Sequence, residues 1–354
     1  YERNGGAFSG QAIIQGGLAD LDDAVKSEWE IEFLRAGAVW YRGRITDYTH
    51  ESGKNGEITT RIVVEGYQSK LADIRVNRAY TSQTIKAIVQ DILDQDILPV
   101  TRITYTASNI VGGYTAQSLS FNCDALHALQ VLATLQGSTE WGVSEAAAPS
   151  LYFVAEDATG ISELAQVILG SITPMIRGRG SFQNAVNRIV VIGGYSGGVV
   201  ISGTGNYSAS QTSYGVRSRT VSESSILNAS DAARYGDNLA AIHGPGLGLL
   251  RGLVQNPASR LEPDRSAGGA VVGAPRAQFR GVDGAAQTEA WTRIAYEYRS
   301  RMGPKLDAVI EAGSAEEGLD TYLLRHERRI ESIVMMLQQT AGMPGNQTHK
   351  MLSA

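Results

Sequence analysis

The chain has 354 residues, of which 43% are hydrophobic, 19% are charged and 40 are glycine, and its formal net charge is −5. At roughly 100–200 residues per domain that length holds two to four domains, and low charge with abundant glycine fits β-rich folds with many turns or a surface partly buried in an assembly. The acidic balance argues against global attraction to nucleic acid, the lone Cys123 excludes an internal disulfide framework, and no apolar run approaches the ~20 residues of a membrane span.

The N-terminus, Tyr1-Glu-Arg-Asn-Gly-Gly, shows neither a signal-peptide pattern nor an initiator Met, as expected of a processed or truncated chain. Residues 1–67 read as β. Trp29, Ile31 and Phe33 share one face of a strand and Glu28, Glu30 and Glu32 the other, the half-wet pattern of an antiparallel sheet. Val39 to Tyr48 and Ile58 to Tyr67 follow as two β-branched and aromatic runs, joined by the reversing loop Ser52-Gly-Lys-Asn-Gly56. On the second run Ile58, Thr60, Ile62 and Val64 face one way.

Helical spacing then takes over. Thr81-Ser-Gln-Thr84 is expected to open a helix, capped by Thr81 or Ser82, with Ile85, Ile88, Val89, Ile92 and Leu93 as its apolar stripe and Pro99 as its stop. A second helix is expected from about Asn122 to Gln136, closed by Gly137. Short strands follow at Trp141-Gly-Val143 and Leu151-Tyr-Phe-Val154, and a buried one at Ile189–Ile192 within a stretch rich in Gly, Ser, Thr and Asn. Ser230 to Ile242 and Trp291 to Met302 read as helices on either side of a loop-rich segment with short strands. At the C-terminal end Ser314-Ala-Glu-Glu317 forms a capping box. Leu319, Leu323, His326, Ile330, Ile333 and Leu337 then recur at four- and three-residue steps, a heptad seam closed by Gly342 and Pro344. The seam either coils with copies of itself, His326 forming a polar layer, or docks on the chain's own core.

Candidate chemistry is sparse. Cys123 with His127 one turn later suggests a thiol activated at a helix start, but no third group orients the pair, and a small core cysteine is the ordinary reading. Asp47, His50 and Glu51 offer carboxylates near a hairpin end, where such residues are routine. The five histidines, at positions 50, 127, 243, 326 and 349, are too far apart in sequence for a local metal motif. Gly193-Gly-Tyr-Ser-Gly-Gly198 follows a strand as a phosphate loop would, yet no Gly-Lys-Ser/Thr follows, so a glycine-permitted turn is expected. Arg177 and Arg179, each followed by a glycine, offer a contact for phosphate or an acidic partner, with a solvated loop as the ordinary reading. Neither a catalytic group, a cofactor nor a metal site is assigned.

Taken in order, Tyr41-Arg-Gly-Arg-Ile-Thr-Asp47, Ile62-Val-Val-Glu-Gly-Tyr67, Thr84–Leu93, Ala125–Ala133 with Gly137, Trp141-Gly-Val143, Leu151-Tyr-Phe153, Asn187–Gly193 and Tyr214-Gly-Val-Arg217 resemble the hub proteins of phage tails and contractile injection systems. The resemblance covers roughly residues 30–300 and rests on element order, and the chain departs from it after 242, at the Gly/Pro-rich stretch and the heptad tail. It implies an α+β chain with β-barrel domains of the tail-tube type, an inserted α/β domain and a C-terminal helix. The expected division is a discontinuous first barrel at 1–72 completed by part of 181–230, an insertion at 73–180, a second barrel region with helices at 181–310, and a helical segment at 311–354.

The function implied is structural: a homotrimer at the tail tip or baseplate of a virion, assembled in the host cytoplasm, adapting a sixfold tail tube to a threefold spike or central fibre. Its expected partners are a tail tube or distal tail protein, a tape measure protein and the spike or fibre, with DNA only in passage through the channel. A tail-associated cell-wall hydrolase and a β-rich carbohydrate-binding adhesin are the alternatives.

Overall fold

The computed structural model describes residues 5–6, 9–15, 30–35, 38–52, 58–137, 139–143, 149–155, 165–168, 176–181, 185–244, 247–255, 276–280, 291–300 and 306–313. The heptad seam from Leu319 to Leu337 lies outside them. The chain begins with β1 (Gly5–Gly6), β2 (Ser9–Gln15), β3 (Glu30–Arg35), β4 (Ala38–Ser52) and β5 (Ile58–Glu65). The last four form an antiparallel sheet in the order β2-β5-β4-β3. Its hairpin is the one read from the sequence: Thr60, Ile62 and Val64 are fully buried while Arg61 is exposed.

A 3-10 turn, Tyr67–Ala72, leads into β6 (Arg75–Thr84) and α1 (Ile85–Ile92), which widens into a single π turn at Leu93–Ile97. Ile85, Ile88, Val89, Ile92 and Leu93 are all fully buried, so the apolar stripe is the packed face. The helix starts later than expected. Thr81 and Ser82 belong to β6, and Thr84 caps α1, its hydroxyl accepting from Ala87 N at 3.3 Å. The correction has a simple cause: Thr81, Gln83 and Thr84 pair with β8, and this ladder outcompetes an earlier helical turn.

β7 (Thr104–Ile110), β8 (Thr115–Asp124), α2 (Ala125–Gln136), β9 (Thr139–Val143) and β10 (Ser150–Ala155) complete the middle of the chain. β6 and β8 form an antiparallel ribbon, and a mixed sheet runs β1-β9-β10-β7. α2 begins at Ala125 because Asp124 caps it, so Cys123 belongs to the preceding strand instead of opening the helix. Gly137 closes α2 at φ 71°, donating its N–H to Ala133 O at 2.9 Å.

Next come β11 (Ala165–Ile168), β12 (Ile176–Ser181), β13 (Arg188–Ser196), β14 (Val199–Asn206), α3 (Ser208–Tyr214), β15 (Ser218–Ser222) and α4 (Ala229–His243). β16 (Leu247–Gln255), β17 (Arg276–Arg280), β18 (Trp291–Ser300) and β19 (Leu306–Gly313) end the described chain. β14-β13-β15 form one small sheet, and β11-β17-β18-β19-β16-β12 a larger one. Two expectations are corrected here. Arg177 and Arg179 stand in β12, paired with Arg251 and Leu249 of β16, so they are ladder residues and not a loop. Trp291 to Ser300 is a strand and not a helix, antiparallel to β19. Its run Thr292, Ile294, Tyr296, Tyr298 alternates with Arg293, Glu297 and Arg299, and β-branched and aromatic residues favour a pleated surface once a partner strand exists.

The class is therefore α+β, and each sheet is open among the described residues. One hydrophobic core runs from Tyr67 through Phe153 and on to Val186, Ile189, Val191, Val221, Ile226, Tyr235 and Ala240. α1, α2 and α4 thus share a core with the β6–β8 ribbon and the small sheet. At that core the helix α4 lies directly on β14, where a Cβ on Gly205 would collide with the backbone of Gly236 and Asp237. Only glycine permits that approach.

Candidate functional site

The densest polar construction joins the small sheet to the middle of the chain. Residues 223–227, between β15 and α4, cross both layers. Glu223 N donates to Ile192 O at 2.8 Å and Gly194 N to Ile226 O at 2.8 Å on one side. On the other, Ser120 N donates to Ser225 O at 2.8 Å and Leu227 N to Ser118 O at 3.0 Å. These bonds spend the backbone groups of an otherwise irregular segment, as burial demands.

Side chains reinforce the crossing. The Asp124 carboxylate accepts from His127 N at 2.8 Å, fixing the first turn of α2, and His127 Nε2 stands 3.1 Å from Glu223 Oε2. Glu223 is 5% exposed, and its other oxygen accepts from Ser225 Oγ at 2.6 Å and Ser225 N at 3.2 Å. Burial pushes the Glu223 carboxyl up, but the hydrogen bond and charge of His127 and the two Ser225 donors outweigh it, and the net shift is down. Burial likewise disfavours a charged His127, but Glu223, with a smaller push from Asp124, outweighs it and raises the imidazole. The two shifts agree on an ion pair.

α4 locks the joint from its own two turns. Asp231, fully buried, accepts from Tyr114 Oη at 2.6 Å, Gln117 N at 2.8 Å and Ser118 N at 3.0 Å. Tyr114 is raised by burial and by that carboxylate. Arg234 lies over the Tyr114 ring, 4.2 Å from its centroid, and donates to Leu135 O at 2.8 Å and Gln136 O at 3.0 Å. Asn238 donates to Thr134 O at 2.7 Å and Leu135 O at 3.1 Å. Those carbonyls belong to the last turn of α2, whose carbonyls have no intrahelical donor. One helix thus satisfies the C-terminus of another.

A second network ties the outer elements down. Arg78 donates to Asp96 at 2.7 Å and stands 3.6 Å from Asp91, which accepts from Tyr80 Oη at 2.8 Å. Arg44 reaches Ser69 Oγ at 3.0 Å and Asp73 at 3.3 Å, and Arg102 pairs with Glu30 of β3. Burial, then Glu30, pushes the Tyr67 hydroxyl up to about 12. The Arg44 and Arg102 contacts hold the first sheet against the middle of the chain, while Arg78 and Tyr80 tie β6 to α1 and its π turn.

Cys123 and His127 do not form a dyad. Burial, then Asp124 and Glu223, pushes the thiol up to about 12, which disfavours a thiolate nucleophile, while the imidazole serves Glu223. Asp47 and Glu51 are exposed on β4, and His50 Nδ1 lies 2.9 Å from Thr60 Oγ1. Among the described residues no group of three or more His, Cys, Asp or Glu could hold a metal ion. Gly193–Gly198 belongs to a hairpin: Gly197 and Gly198 take φ of 59° and 86° at the turn between β13 and β14.

Sequence reasoning passed over Glu223, Asp231, Arg234 and Asn238. One signal was available: Asn228-Ala-Ser-Asp231 is a helix-start pattern, and Asn228 does cap α4. It also passed over an apolar surface at the β13–β14 tip, where Tyr195 is 69%, Val199 61% and Val200 57% exposed. From Ile189 to Val216 the sequence holds no charged residue.

No family model matches the chain, and no curated protein matches it in sequence. Solved structures match along most of its length. The 43 kDa tail protein of prophage MuSo2 from Shewanella oneidensis is 14% identical, with a TM-score of 0.55 over 87% of this chain and 90% of that one. A tail protein from Neisseria meningitidis MC58 is 9% identical, with a TM-score of 0.60 over 90% and 91%. An Escherichia coli component of the type VI secretion system, described as structurally similar to the T4 bacteriophage tail proteins gp27 and gp5, is 14% identical, with a TM-score of 0.52 over 88% and 71%. The chain has the fold of these tail and injection-system proteins, the one its order of elements resembles.

Proposed function

We propose that this chain is a structural protein of a phage tail or a phage-derived injection apparatus, and that it acts by geometry instead of catalysis. The observation that carries the reading is the fold likeness to tail proteins over nearly the whole of both chains. A fold alone does not dictate function, but here the rest of the molecule points the same way. Its buried charges are spent on internal joints, and its one thiol is held protonated by burial. The uncharged apolar tip at Tyr195, Val199 and Val200 is a surface suited to being covered in an assembly.

In this reading three copies form a hub at the tail tip, joining a sixfold tail tube to a threefold spike or central fibre around a channel that DNA traverses. Residues 1–72 and 181–310 supply the barrel domains, with 73–180 inserted between them. The sheet β2-β5-β4-β3 within 1–72 supports a first β domain, whereas the six-stranded sheet draws β16 to β19 from 247–313 and β11 and β12 from 165–181, so its strands cross the expected boundary at 180. The seam from Leu319 to Leu337 serves as a threefold coil below the ring. Class averages of the purified protein in negative stain test the reading. Threefold rings with a central channel are expected, narrower in their tail for a chain ending at 313. Particles without a ring, together with turnover of cell-wall material, would replace it with a hydrolase.

A further inference from the structure

We propose that His127 and Glu223 form an acid-favoured fastener that clamps the 223–227 crossing onto α2, and that the clamp loosens as the medium turns alkaline. The geometry places the pair at the point of greatest leverage. Glu223 begins the segment whose four backbone bonds connect Ile192 and Gly194 of the small sheet with Ser118 and Ser120 of β8. Its carboxylate is buried and bonded at both oxygens, to His127 and to Ser225, so it cannot turn to water without breaking the crossing.

The two partners differ in access. The His127 side chain is 34% exposed and Glu223 6%, so protons exchange with the histidine while the carboxylate stays fixed. Among the described residues the charged groups that act on the imidazole include Glu223 from the crossing and Asp124 from the cap of its own helix, both acidic and both favouring imidazolium. Arg75, paired in register with Asp124, lies on the far ribbon strand and bonds Asn122 at 2.7 Å; its charge acts on Cys123 beside the pair.

The direction follows from linkage. His127 is raised in the folded protein, so its contribution is whole below the unfolded imidazole value, about 6.5, and is lost as pH rises through the folded value. Glu223 is lowered, so its contribution is whole above the unfolded carboxyl value, about 4.3, and is lost as pH falls through the folded value. The clamp is therefore strongest in mildly acidic medium, between about pH 4.3 and 6.5. Above the window the contribution declines, and above the folded value a neutral imidazole can still donate one hydrogen bond to the carboxylate, but the charge that outweighed burial is gone.

The test uses the full chain labelled with 13C-histidine, the His127 resonance being assigned by its loss in His127→Gln. The expected result is a His127 midpoint above that of a free histidine, returning to or below it in Glu223→Gln. Thermal melts of wild type and His127→Gln from pH 5 to 9 give the second readout. Wild type should melt about 2–4 °C higher at pH 5.5, with the gap narrowing towards pH 9. A His127 midpoint at or below the ordinary value overturns the proposal, as does a melting gap that is the same at every pH.

Discussion

At the scale of single residues, the molecule depends on a few buried polar side chains whose every bond is made. Asp231 is the clearest case, because one carboxylate satisfies a phenol and two backbone N–H groups. Asp231→Ala removes the acceptor of three part-buried donors, and each buried donor left orphaned costs about 1–3 kcal/mol. Urea unfolding followed by circular dichroism should show a loss of roughly 3 kcal/mol or more, whereas Asp231→Asn should recover part of it. Cys123 makes an opposite kind of prediction. With its thiol pushed up to about 12, it should react with Ellman's reagent at pH 8 far more slowly in the native chain than in denaturant. Native labelling as fast as that of the unfolded chain would contradict the burial on which the structural reading rests.

At the scale of elements, the local rules read well where the local signal was strong. The stripe of α1, the glycine stop of α2 and the alternation on β5 are each legible because one residue type meets one steric or burial requirement. The rules failed where distant partners decide. Trp291, Ile294 and Tyr298 share a helical face while Ile294, Tyr296 and Tyr298 share a strand face, and pairing with β19 settles the matter. Thr81 and Ser82 carry capping chemistry, but β6 runs on through them, Thr81 and Gln83 pairing with Ser118 and Ala116 of β8. The joint was illegible for the same reason: Glu223 and His127, or Asp231 and Gln117, are about a hundred positions apart, and no spacing rule spans that gap. The packing of α4 on β14 gives this scale its own test. Gly205→Val puts a branched side chain against the backbone of Gly236 and Asp237. Neither neighbour is a flexible side chain that can give way, so the variant should be recovered largely insoluble or with a melting temperature lower by several degrees.

At the scale of the whole molecule, the open question is what the rigid middle is for. A core that fuses α1, α2, α4 and the small sheet, tied by Arg102–Glu30 and Arg44–Asp73 to the first sheet, is a stiff frame without a metal cluster or an activated nucleophile among its described residues. Stiffness is what a ring-forming adaptor needs, since closed symmetry fixes the angle between copies. The resemblance was legible from element order alone, and the fold likeness accords with it; the trimer and its partners are the part of the account that the fold does not fix. The most direct test is the molar mass of the purified 354-residue chain by light scattering after size exclusion. The account predicts a species of three times the 37.8 kDa chain, stable on dilution. A monomer at every concentration, unchanged when tail tube and spike proteins are added, would contradict it.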